Sequence, residues 1–113
     1  MYVTYTLEGN GQIYVGRTSG FGDPETIVQK RFRNHHMKAK RFGNPKVDKV
    51  IQGASGKPAI RGREQQLIDY YGGVGSKRVA NRIRGVSKAN PWGRFFHYQS
   101  NRAFGNIAPY TGY

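Results

Sequence analysis

Two β-rich runs separated by an Asn-Gly step constrain this chain more than any other feature. Tyr2-Val3-Thr4-Tyr5-Thr6-Leu7 and Gln12-Ile13-Tyr14-Val15-Gly16 flank Glu8-Gly9-Asn10-Gly11. Asn-Gly accepts positive φ at both central positions of a tight turn, so an antiparallel hairpin is predicted. An isolated hairpin is marginal in water, so later segments must cover it. Asp23-Pro24 followed by Glu25 reads as an N-cap, a proline at the first helical position and an acid in the first turn. The helix is predicted to run to about Ala39 and to stop before Gly43-Asn44-Pro45. Pro45 to Gln52 reads as a short helical piece, and Pro58 to Tyr71 as a second full helix stopped by Gly72-Gly73. From Gly85 onward, irregular structure with one short element is expected, and no internal repeat is visible. The fold class expected is α/β in the α+β sense: a small, three-stranded, mainly antiparallel sheet with flanking helices. The 113 residues fit one domain, with a core over about 1–86 and an aromatic, Gly-rich, basic tail over 87–113.

Charge narrows the partners. Nineteen Lys and Arg against six Asp and Glu leave +13, and there is no cysteine. Disulfide scaffolds, thiolate metal sites and thiol nucleophiles are thereby excluded. No apolar run approaches the ~20 residues that span a bilayer, and the opening residues read as strand, so no signal peptide is expected. After Asp69 the chain carries no acid, yet it continues through Lys77, Arg78, Arg82, Arg84, Lys88, Arg94 and Arg102. A second basic run comprises Lys30, Arg31, Arg33, Lys38, Lys40 and Arg41. A solvated face is the bland reading of such runs. The one-sided excess, interleaved with Tyr, Phe, Trp and Gly, favours a phosphate-backbone partner, though lysines and arginines do not distinguish DNA from RNA. Arg17, Arg61 and Arg63 join Lys30, Arg33, Lys38, Lys40, Arg41, Lys77, Arg78, Arg82 and Arg84 as candidate nucleic-acid contacts. The aromatics from Trp92 to Tyr113 are expected to cover the sheet, with base stacking as the alternative.

One acid sits where acids are costly. In the second helix Ile60, Leu67, Ile68 and Tyr71 share a face, and Glu64 lies in its middle. A structural ion pair with Arg31 or Arg61 would account for it; so would a carboxylate at the rim of a cleft, facing a metal ion. Periodicity does not separate the two. In the first helix Val28, Phe32 and His35 fall at i, i+4 and i+7, with Arg31 in the same stripe. His35 reads either as a surface histidine or as a participant in chemistry. Tyr5 and Tyr14 read as packing on paired strands, or as two hydroxyls brought close together beside Gly16.

Taken in order, these residues resemble the GIY-YIG nuclease domain, whose signature is two tripeptides about ten residues apart. Tyr14-Val15-Gly16 matches the second tripeptide closely, whereas Val3-Thr4-Tyr5 keeps only the tyrosine of the first. Arg31-Phe32-Arg33-Asn34-His35 matches the family's Arg-x-x-x-His, Glu64 its metal-binding acid, and Asn81 its later asparagine. The match covers residues 3 to about 83. The stretch from Ala59 through Tyr70-Tyr71-Gly72-Gly73 to Asn90-Pro91 is similar to C-terminal toxin domains of bacterial polymorphic toxins, of the Rhs and contact-dependent types.

The resemblance implies a DNA endonuclease with one Mg²⁺ or Mn²⁺ held by Glu64. It implies Tyr5 as general base with Tyr14 as its partner, Arg31 on the scissile phosphate, His35 orienting or donating, and Asn81 holding a phosphate or buttressing Glu64. A tyrosine near its ordinary pKa of ~10 is a weak base at neutral pH, so Arg17, Arg31 and the metal are expected to lower it. The toxin resemblance further implies a secreted or injected effector acting in the target-cell cytoplasm, restrained by an acidic immunity protein. An RNA-cleaving toxin, a non-catalytic nucleic-acid-binding module and a stand-alone repair or restriction nuclease are the alternatives.

Overall fold

A computed structural model describes residues 1–107. β1 (Tyr2–Gly9) and β2 (Gln12–Ser19) form the predicted hairpin. Asn10 and Gly11 take φ of 54° and 73°, the left-handed pair a twisted two-residue turn requires. β3 (Gly43–Ile51) pairs with the other side of β1, giving an antiparallel sheet in the order β2-β1-β3. Central β1 is buried on both faces. Val3, Tyr5 and Leu7 face one layer, while Thr4 and Thr6 face the other.

Of the segment from Pro45 to Gln52, expected to be helical, Pro45 to Ile51 instead belongs to β3. A bulge explains the misreading. Thr4 opposes Lys49 while Tyr5 opposes Val47, so Asp48 is an extra residue on its strand. Val47 and Val50 then both reach the core cluster of Val3, Tyr5 and Leu7, and their i, i+3 spacing mimics a helix.

α1 (Pro24–Arg33) begins as predicted, with Asp23 accepting from the Glu25 and Thr26 backbone N–H groups and from the Thr26 hydroxyl. It is shorter than expected: Asn34 caps it, and a 3-10 turn follows at Lys38–Lys40. Ile27 and Val28 of α1 pack on the Val3-Tyr5-Leu7 face with Met37 and Phe42. α2 (Gly56–Tyr70) covers the opposite face, where Leu67 and Ile68 meet Val15 and Val79. Arg63 of α2 is clamped to Asp48 by Nε–Oδ2 and Nη2–Oδ1 bonds of 2.8 and 2.9 Å, and the Thr4 hydroxyl donates to the same carboxylate at 2.8 Å.

The expectation of irregular structure after Gly85 gives way to α3 (Gly93–Phe104), a twelve-residue helix. It packs on α2, so the aromatic segment covers a helix instead of the sheet. Gly62 makes this possible, because a side chain there would run into the Phe96 carbonyl. Ser100 donates to Gln66, and Gln66 in turn donates to Asn101. Tyr110 lies outside the described residues.

The outer edge of β2 is closed by the segment after α2. The Ile13 N–H donates to the Arg78 carbonyl and the Ala80 N–H to the Ile13 carbonyl, both at 2.8 Å. Asn81 extends the pairing with its side chain, accepting from the Val15 N–H at 2.9 Å and donating to the Val15 carbonyl at 2.8 Å.

Candidate active site

A groove of about 230 Å³ opens at this edge of β2, lined by Tyr14, Arg17, Glu64, Ile68, Asn81, Ile83, Arg84 and Gly85. Its residues come from both faces of the sheet because they meet at an edge. Tyr14 lies on the α1 side, opposite Leu7, and Arg17 on the α2 side, opposite Thr4. Glu64 reaches in from α2, and Gly85 lies against its carboxylate so closely that a Cβ would collide with Oε1.

Glu64 is 9% exposed, and its ion-pair partner is Arg17, at 3.2 Å from Nε to Oε1, instead of Arg31 or Arg61. Burial pushes its pKa up, against the charge and hydrogen bond of Arg17 and the more modest pull of Arg61. Among the described residues Arg17 is its one hydrogen-bond donor. Among the described residues, no group of three or more His, Cys, Asp or Glu is positioned to hold a metal. A divalent cation bound at Glu64 would thus rely mostly on water and phosphate oxygens, a coordination Mg²⁺ accepts.

The two tyrosines occupy different environments. Tyr14 lines the groove, whereas Tyr5 is 1% exposed and sits behind it. Tyr5 lies across Gly16, its partner in the β1–β2 register, where any side chain would strike the phenol ring. Its oxygen is 2.7 Å from His35 Nε2. Burial raises the Tyr5 pKa, Tyr14 adds to the rise, and Arg31 opposes it. Burial and Glu64 raise that of Tyr14, again against Arg31. Among the protein's own groups the arginines do not bring the expected lowering: desolvation outweighs Arg31, which leaves both phenols protonated at neutral pH. Tyr5, expected to be the base, is shut away from the groove.

His35 lies just past α1, buried, with its ring edge-on to both tyrosines. Its Nδ1 accepts from the Met37 N–H at 3.1 Å. His36 stacks on it at 4.6 Å and presents an edge to Tyr14 at 5.5 Å. Arg31, on the exposed side of α1, is close enough to influence Tyr5, Tyr14 and His35 electrostatically. Asn81 lines the groove, but Val15 engages both ends of its amide.

The cation candidates divide. Lys30, Arg33, Lys38, Lys40, Arg41, Lys77, Arg78 and Arg82 are exposed, and Arg17 and Arg84 line the groove. Arg84 spends its Nε on the Val86 carbonyl at 2.8 Å. Arg63 is corrected: at 7% exposure and clamped to Asp48, it faces inward. Arg61 is half-buried, with its guanidinium 4.5 Å from the centre of the Phe96 ring. Sequence reasoning missed His36, Ile83 and Gly85. His36 was available as a neighbour of His35, whereas nothing local marks a glycine that packs against an acid twenty-one positions earlier. The chain matches no family model, no curated protein and no solved structure.

Proposed function

We propose that the chain is a metal-dependent endonuclease hydrolysing phosphodiester bonds of DNA, as its resemblance to GIY-YIG nucleases implies. The observation that carries this reading is the meeting of Tyr14, Arg17 and Glu64 in one open groove, with Tyr5, Arg31 and His35 immediately behind it. Glu64 is the residue that would hold Mg²⁺ or Mn²⁺, which when bound neutralises phosphate charge and acidifies water. Arg17, beside Tyr14 in the groove, and Arg31, which acts electrostatically on both tyrosines, favour an anionic phosphate over a neutral ligand. Tyr14, protonated and facing the groove, donates a hydrogen bond to a phosphate oxygen or to the attacking water. Tyr5 and His35 hold that tyrosine in place from behind. Gly85 leaves room for the Glu64 carboxylate.

The test is nicking of supercoiled plasmid by the purified chain with Mg²⁺ or with EDTA, beside the Glu64→Gln variant and total RNA. Plasmid cleavage that needs the ion and disappears in Glu64→Gln is expected. Full activity in that variant, or in EDTA, would overturn the assignment, and cleavage confined to RNA would move it to an RNase.

A non-catalytic nucleic-acid-binding module is the second reading, favoured by the Arg17–Glu64 ion pair, which satisfies the acid without a metal. Plasmid bound but never cut is its signature. The toxin setting and an acidic immunity partner rest on the sequence resemblance and on the +13 charge. Growth arrest on expressing the wild type but not Glu64→Gln would support them.

A further inference from the structure

A cavity of about 460 Å³ adjoins the groove and shares Asn81 with it. This volume falls within the range of small-ligand sites, about 300–1,000 Å³, and suits one nucleotide. Its apolar wall is built from Met37, Phe42 and Val79, while Lys40 and Arg82 stand at the rim. Asn10 and Gln12 complete it with oriented amides. The Asn10 Nδ2 donates to the Lys40 carbonyl at 3.4 Å and the Gln12 Nε2 to the Lys77 carbonyl at 3.2 Å. Their side-chain oxygens, Oδ1 and Oε1, accept no hydrogen bond among the described residues. The third amide, Asn81, is committed to Val15 at both ends. The cavity therefore offers two acceptors, two cations and an apolar wall, with no carboxylate.

That inventory fits an anion joined to a flat, partly apolar group that carries hydrogen-bond donors. An unpaired nucleotide with an exocyclic amino group meets it, since the two hydrogens of that group in adenine, cytosine or guanine can serve both acceptors, whereas thymine brings only its single ring N3–H. We propose that this cavity is a nucleotide subsite that takes one unpaired, amino-bearing nucleotide beside the scissile bond. Lys40 and Arg82 hold its phosphates, and Asn10 and Gln12 accept from its base. The subsite rests on the nuclease reading only for what lies next to it; the binding chemistry is its own.

Fluorescence anisotropy with end-labelled hexamers of dC and dT tests the proposal, because the two carry the same backbone charge. The Glu64→Gln protein in EDTA removes cleavage from the measurement. Binding of dC about fivefold tighter than dT is expected, the size of one or two hydrogen bonds. Asn10→Gly with Gln12→Leu should erase the preference while leaving dT affinity in place, and Lys40→Ala with Arg82→Ala should weaken both alike. Asn10→Gly alone, which suits the φ of 54°, should reduce the preference if the double variant folds poorly. Equal binding of dC and dT, or a preference that survives in Asn10→Gly/Gln12→Leu, would overturn the subsite. Plasmid cleavage together with equal binding of dC and dT would leave the nuclease reading standing and remove only this one.

Discussion

The tautomer of His35 follows from its two neighbours. Nδ1 accepts the Met37 N–H, so it carries no proton, and the neutral ring must hold its hydrogen on Nε2 and donate it to the Tyr5 oxygen. Protonating His35 would put a hydrogen on Nδ1 and break the Met37 bond. Burial, Arg31 and His36 oppose the charge as well, and together they depress the His35 pKa to about 4. Between that value and its ordinary ~6.5, the unfolded chain binds the proton more readily than the folded one. Stability attributable to His35 is thus complete above about pH 6.5, declines as pH falls through the window, and is exhausted below about 4. His97, also depressed to about 4 chiefly by burial, adds a loss of the same sign, whereas the raised Glu64 works oppositely. The difference between wild type and His35→Asn separates one contribution from the rest. Melting temperature measured from pH 7 to 4.5 should fall less steeply in the variant, because Asn can still accept the Met37 N–H and cannot titrate. Tyr5→Phe should destabilise by about 1–3 kcal/mol in a denaturant titration, because it leaves the buried Nε2–H without an acceptor. The sequence pattern identified Tyr5, Tyr14 and Glu64 as unusual. It could not say which tyrosine faces solvent, since that depends on the wall that α1 and residues 78–81 build around β2.

At the scale of elements, the hairpin, the Asp23 cap and α2 were legible because each rests on chemistry within a few residues. β3 and α3 were not, for different reasons. The Asp48 bulge disguises β3 as a helix, and α3 starts after Asn90-Pro91-Trp92, which reads as loop and supplies no side-chain cap. Both elements are fixed by tertiary partners. Asp48 ties β3 to α2 through Arg63 and to β1 through Thr4. Asp48→Ala should cost about 3–5 kcal/mol, because it strands a guanidinium that is almost fully buried; chemical denaturation measures it. Glycines make a sharper comparison. Gly62→Ala drives a methyl into the backbone of α3, which cannot move cheaply, so a loss of about 1–3 kcal/mol is expected. Gly85→Ala pushes instead on the Glu64 carboxylate, the free end of a side chain. It should leave the melting temperature nearly unchanged and lower plasmid nicking at least tenfold. A Gly85→Ala protein that nicks at the wild-type rate would show that the carboxylate position does not matter to the reaction.

Across the whole molecule, the layers run α1, sheet, α2, α3, and the groove opens where the edge of β2 meets α2 and the segment from Asn81 to Gly85. α3, separated from α1 by two layers, carries its own cations at Arg94 and Arg102, the latter 5.9 Å from the centre of the Tyr98 ring. The +13 charge is thus spread over surfaces that do not all adjoin the groove. Composition alone cannot tell a uniform polycation from a directed one; salt dependence can. For single-stranded DNA the slope of log K against log salt is about −0.7 per phosphate neutralised. If Lys40 and Arg82 each hold a phosphate, removing both should flatten the slope by about 1.4. Removing Arg94 and Arg102 should leave it nearly unchanged, although the net charge falls by the same amount. Titrations of a dC hexamer between about 50 and 300 mM salt would make the comparison. Equal flattening in the two double variants would mean that the strand is held by total charge alone, with no preferred path past Glu64.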